Sequence, residues 1–119
     1  EEEDRMVNYI TDELYQGENS LEYEDLVSGR GLAVLYKFFA QDSDDESVPK
    51  ELSPAEVSKK ALEGEKCASK ALLYHYLYLA RGSANLAVCL GAKGIFWAGG
   101  NQISNHAFVE EHREQLHAE

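Results

Sequence analysis

The stretch that most limits what this chain can fold into is residues 65–91, EKCASKALLYHYLYLARGSANLAVCLG. Its centre, LYHYLYL at 73–79, alternates with period two and reads locally as a strand. Its flanks are helix formers, and no proline interrupts it. Apolar positions 72, 73, 76, 77, 80, 84, 87 and 90 make one broad helical stripe. The flanks and the stripe outweigh the local alternation, so one long helix is expected. Gly82 costs that helix about 1 kcal/mol against alanine and marks a kink or a close helix contact. Cys67 and Cys89 then sit 22 residues apart along it, about 33 Å at 1.5 Å per residue. That is far beyond disulfide reach, and a reducing compartment is the natural reading.

The remaining elements arrange themselves around this helix. Met6, Ile10 and Leu14, with Val7 alongside, predict a helix over 3–15, stopped at Gly17. Residues 21–28 read as a short strand or extended entry. From Gly31, the positions Leu32, Leu35, Tyr36 and Phe39 follow helical spacing. QDSDDESVPKEL at 41–52 is an acidic, solvated loop. SPAE at 53–56 predicts a helix of about ten residues, with Ser53 as cap, Pro54 in the first turn and Glu56 closing a capping box. Gly91 and Gly94 end the long helix, IFWA at 95–98 reads as a strand, Gly99-Gly100 ends that strand, and 105–117 reads as a final helix. One or two strands cannot make an independent sheet. Either the domain is helical, or its sheet partners lie elsewhere.

Charge excludes some functions. The 119 residues carry 22 acids against 11 bases, a net charge of −11, so a phosphate backbone is repelled and nucleic acid is a poor partner. No window approaches ~18 uninterrupted apolar residues, and Glu1-Glu2-Glu3-Asp4 is the opposite of a signal peptide's cationic start. No membrane association is expected. His106, His112 and His117 lack the spacing of one helix face and read as surface residues, with no zinc-type cluster. Tyr74, Tyr76, Tyr78 and Trp97 could form a base-stacking platform, but core and interface packing is the better reading, and His75 reads as a packing residue. No nucleophile–base pair is present, so no covalent mechanism is expected.

EYEDLVSGRG at 22–31 leaves two readings open. Glu22, Glu24 and Asp25 can be a solvated loop ahead of a helix capped by Ser28. Alternatively, Gly29 and Gly31 turn the backbone sharply so that Glu24 is aimed at a ligand, with Glu22 and Asp25 remaining surface acids. A fixed carboxylate accepts two hydroxyl protons in charge-assisted bonds, which suits a sugar.

Three stretches, in order, resemble the bacterial-type glucokinases, which are ATP-dependent hexose kinases: EDLVSGRGL at 24–32, SANLAVCLGAKG at 83–94 and GIFWAGG at 94–100. The resemblance covers essentially the whole chain. It implies an α/β protein of the hexokinase/actin-like (ribonuclease H-like) fold. This chain would be an internal, mostly helical segment of the large, C-terminal-type domain. By that resemblance Glu24 is the glutamate that binds the sugar near its anomeric hydroxyl. Gly99 and Gly100 are the pair against which adenosine lies, and Asn101 follows them. NQISNH at 101–106 departs from the family's apolar, proline-containing continuation. The family's phosphate loops, its Asn-Asp pair with the catalytic aspartate, and its Glu-Gly-Gly-His sugar motif are not in these residues. No catalytic residue and no magnesium ligand is therefore expected here. The implied ligands are glucose, ATP and Mg²⁺, and the implied partner is the remainder of the kinase chain, with a homodimer allowed. The implied location is the cytoplasm. The rival reading is a non-catalytic helical interaction module or a kinase-like sugar sensor, with the acidic surface and tyrosine-rich helix faces forming an interface.

Overall fold

The computed structural model describes residues 2–16, 23–97 and 105–117, without the side chains of 23, 24 and 117. Within them the chain forms seven helices: α1 (Glu2–Tyr15), α2 (Tyr23–Val27), α3 (Gly29–Gln41), α4 (Pro54–Leu62), α5 (Lys66–Leu90), α6 (His106–Glu111) and α7 (Arg113–His117). No strand occurs among the described residues. No helix there is long and apolar enough to cross a membrane.

The long helix forms as its stripe predicts. The Glu65 carboxylate caps α5 by accepting from the Cys67 and Ala68 N–H groups at 2.9 and 2.7 Å. Gly91 ends it in the left-handed region, at φ 65°. α5 is the axle of the fold. Its first half, through Ala68, Ala71, Leu72 and Tyr76, is buried against α2, α3 and α4. Helix α1 lies against α3 with Met6 and Ile10 inward. It ends at Gln16, whose φ of 54° breaks the helical path; Gly17 lies outside the described residues. Cys67 and Cys89 are both free thiols, and burial pushes the Cys67 thiol up in pKa.

Helix α4 carries its own start signal. Glu56 N–H donates to Ser53 Oγ at 3.3 Å, and Ser53 N–H donates to Glu56 Oε2 at 2.9 Å. The loop before it is solvated as its composition predicts, with none of residues 41–52 buried, but it is anchored at its end. Tyr36 Oη donates to the Pro49 carbonyl at 2.7 Å, and Lys50 Nζ donates to the Ala40 carbonyl at 2.8 Å. Those two bonds pin the end of the loop to α3, and burial raises the Tyr36 pKa to about 12.

Three expectations are corrected. The strand expected over 21–28 is, from Tyr23 to Val27, a helical turn, because Leu26 can then bury beneath α5. Of the strand expected over 95–98, residues 95–97 form no strand, and residue 98 lies outside the described residues. The final helix breaks at His112, which is half-buried and not a simple surface residue. Its ring stacks on Phe108 at 4.2 Å, and its Nδ1 lies 2.9 Å from the Phe108 carbonyl. His106 is exposed as expected.

Candidate functional site

Glu24 sits in α2, a helix of five residues. A helix that short has no stability of its own, so its place is set by what it touches. Leu26 is buried, and its carbonyl lies 3.1 Å from His75 Nδ1. A carbonyl only accepts, so Nδ1 carries the proton. Burial lowers the His75 pKa, against the smaller opposing effect of that hydrogen bond. The imidazole is thus a neutral packing group, the role expected of it within the long helix.

Asp25 is not the surface acid that its acidic neighbours suggest, for it is 6% exposed. Tyr15 Oη, from α1, donates to it with both carboxylate oxygens at 2.8 Å. Arg30 Nη2, from α3, donates to Oδ1 at 3.1 Å. A buried carboxylate without such partners would be costly.

Ser28 caps α3, accepting from the Gly31 N–H at 3.1 Å. The two glycines do not make the sharp turn expected of them, since neither has a positive φ. Gly31 serves close approach instead: a Cβ there would stand 1.8 Å from the Asp25 carbonyl oxygen. At Gly29 a Cβ would meet only ordinary contact with the Pro54 ring, at 3.6 Å. The backbone of α2 therefore rests directly on the first turn of α3.

The second candidate region is the approach to Gly99. Gly99, Gly100 and Asn101 lie outside the described residues, but the chain leading to them is tied to α5. Trp97 Nε1 donates to Ser83 Oγ at 2.9 Å, and its ring stacks on Tyr76 with centroids 5.9 Å apart. Tyr74 stacks on Phe39 at 5.6 Å. These aromatics pack against one another, as expected, and offer no base-stacking platform. A hollow of about 330 Å³ opens beside Trp97, between Ala80, Ser83, Val109, Arg113 and Leu116. Consecutive residues of α5 thus reach both regions, His75 to α2 and Tyr76 to the 94–97 segment.

The resemblance alone singles out Glu24, and the groups that hold its turn carry no such mark. Tyr15 gives no signal in the sequence, because its partner is ten residues away in the chain and in another helix. His75 gives a faint one, as a polar residue among the apolar and aromatic ones of 72–79. Among the described residues, no group of three or more His, Cys, Asp or Glu side chains could hold a metal ion.

The Glucokinase family profile matches residues 1–115. The chain belongs to the glucokinase family. It is 36% identical over 119 residues to probable glucokinase 2 of Trichomonas vaginalis, covering 99% of this chain and 32% of that protein. It is 35% identical over 103 residues to the glucokinase of the bacterium Psychromonas ingrahamii, covering 84% of this chain and 30% of that one. The solved glucokinase of Balamuthia mandrillaris, in complex with glucose, is 40% identical and matches with a TM-score of 0.88. That match covers 98% of this chain and 32% of the Balamuthia chain. The chain thus spans about a third of the length of its glucokinase relatives (32%), and its helical architecture is that of a glucokinase fragment.

Proposed function

We propose that this chain is a segment of the large domain of an ATP-dependent glucokinase. The intact enzyme transfers the γ-phosphoryl of ATP to the 6-hydroxyl of glucose, and this segment supplies Glu24 to the sugar side. The observation that carries the reading is the grip on α2: three other helices hold the one turn that bears Glu24. The match to a glucokinase solved with glucose supports it. A carboxylate on a fixed turn orients a sugar through charge-assisted hydrogen bonds, and phosphoryl-transfer catalysis is almost entirely positioning together with electrostatic stabilisation.

On the nucleotide side we assign Gly99, Gly100 and Asn101 to the adenosine of ATP. Trp97, held by Ser83 and Tyr76, would fix the approach to them. Mg²⁺ would bridge the phosphates of ATP, and we assign its ligands to the remainder of the kinase chain. That remainder would also cover apolar side chains left open here. On the last turns of α5, Leu86 and Leu90 are exposed on one side and Val88 on the other, at 82%, and Phe96 beyond the helix is 97% exposed. Exposed apolar surface of that kind marks an interface. An actin-like fold would supply the sheet that is absent among the described residues.

Glu24→Ala in the full-length kinase tests the reading. Bonds from a charged acceptor are worth about 1.5–3 kcal/mol each, so kcat/KM for glucose should fall roughly 10- to 1000-fold. ATP binding measured without sugar should hardly change, and Glu22→Ala should be near neutral. Equal effects at positions 22 and 24, or none at 24, would remove Glu24 from the site.

A further inference from the structure

We infer that Asp25 is a positioning residue for sugar binding: it acts through Glu24, by locking the one-turn helix that carries both. The inference rests on the reading of Glu24 as the sugar's carboxylate ligand. Its own support is separate and lies in the burial and partners of Asp25.

Neighbouring residues on a helix point about 100° apart, so one five-residue turn can give its two acids different tasks. Asp25 faces inward and is almost fully buried. Its carboxylate joins three helices: it belongs to α2, takes the Tyr15 hydroxyl of α1 at 2.8 Å, and takes the Arg30 guanidinium of α3 at 3.1 Å. The backbone on either side is fixed as well. The carbonyl of Asp25 rests on Gly31, and that of Leu26 meets His75.

A carboxylate is an expensive way to hold a core together, since an apolar side chain of similar volume often does so at least as well. What the charge adds is direction. Two oxygens held by donors from two helices fix the rotation of α2 about its own axis, and an apolar contact would leave that rotation loose. That rotation sets where residue 24 stands. A ligand group displaced by about 1 Å can lose on the order of 100-fold in rate, so such a lock reaches the sugar without touching it.

The test is a double-mutant cycle in the full-length kinase, with wild type, E24A, D25N and E24A/D25N assayed against glucose and against ATP. Asp25→Asn keeps the shape and removes the charge. Alone it should raise the glucose KM about 10-fold, leave the ATP KM within about twofold, and leave kcat less affected than KM. On the E24A background it should add less than about twofold, because the group it positions is gone. Tyr15→Phe, which removes one hydroxyl and keeps the ring, should raise the glucose KM by a smaller factor. It replaces D25N in the cycle should D25N fail to fold. A D25N or Y15F effect that persists undiminished on the E24A background overturns the lock while leaving Glu24 in place. A fall in Tm with no change in glucose KM also overturns it, showing Asp25 to be structural alone. Loss of no activity in E24A removes the underlying reading, and the lock with it.

Discussion

Leu72 and Leu90 lie on the same helix, separated by 18 residues, which is five turns of about 3.6 residues each. They therefore face the same side of α5, yet Leu72 is fully buried and Leu90 is 73% exposed. Around Leu72 the chain supplies its own cover: Leu26, Leu35 and Val57 from three other helices are all buried in the same core. Around Leu90 the described residues supply none that buries it, and Leu86, Val88 and Phe96 are exposed as well. On the reading proposed above, the apolar stripe records what the whole kinase would bury, whereas burial in this segment records only what the described residues cover. The half that closes on itself is the half that grips α2 and Glu24. The open half is the one we assign to the remainder of the kinase chain.

The largest effect should come from breaking the closed half at its tightest point. Gly31→Ala would put a Cβ within 1.8 Å of the Asp25 carbonyl oxygen. That atom is backbone, so α2 and α3 would have to separate. We expect a loss of more than about 3 kcal/mol in urea denaturation, beyond the ordinary range of single substitutions. We also expect sugar affinity to fall with it. Gly29→Ala is the control: its Cβ would meet only the Pro54 ring at 3.6 Å, and the cost should stay below about 0.5 kcal/mol. Equal costs at the two glycines would show that α2 does not rest on α3 as described.

Local chemistry and long-range chemistry were unequally legible. The capping box at Ser53 and Glu56 is complete within four residues, so the start of α4 could be read directly. The stripe of α5 spans about five turns, and its length outweighed the misleading alternation at 73–79. Helix α2 carries no such signal. What makes it a helix, and what buries Asp25, is Tyr15 ten residues back and His75 some fifty residues on. An acidic pentapeptide seen alone reads as a solvated loop or a strand entry. The role of Gly31 was hidden for the same reason, because close approach needs a neighbour that the local sequence does not name. Glu24 is singled out only by the resemblance of its surroundings to a family, and its role stays the proposal made above. The stripe could likewise not reveal where its cover stops, since Leu72 and Leu90 look alike in sequence.

A paired substitution on α5 sharpens the comparison with a middle-sized effect. In the 119-residue chain, Leu72→Ala should cost about 2–5 kcal/mol, the range for a large-to-small change in a packed core. Leu90→Ala should change stability by less than about 0.5 kcal/mol there, as an exposed substitution. In the full-length kinase the asymmetry should shrink, with Leu90→Ala costing more than about 1 kcal/mol once the remainder of the chain covers it. A Leu90→Ala cost that is negligible in both contexts would mean that this face stays open in the intact enzyme, which would return it to the rival reading as a docking surface.

The smallest effect is a pH dependence, and it belongs to the closed half alone. His75 is buried beneath α2 with its pKa pushed below the ordinary 6.5, chiefly by burial. In the unfolded chain it titrates near that ordinary value. Below about pH 6.5 the unfolded state therefore binds a proton that the folded state does not. Stability must then rise with pH through that window and fall as the pH drops from about 7 toward 5, at no more than about 1.4 kcal/mol per pH unit for one proton. Above about pH 7 both states are neutral at this residue, and its contribution is flat. Carboxylates elsewhere titrate lower in the same range, so the measurement is a difference between wild type and His75→Gln. Glutamine can still donate to the Leu26 carbonyl, but it does not titrate. The wild type should lose more stability than His75→Gln between pH 7 and 5. Parallel curves would mean that protonation of His75 is not opposed by the fold. A wild type that gains on the variant as the pH falls would mean that the imidazole is charged beneath α2, and the neutral donor that holds the Leu26 carbonyl would be the wrong description of the grip.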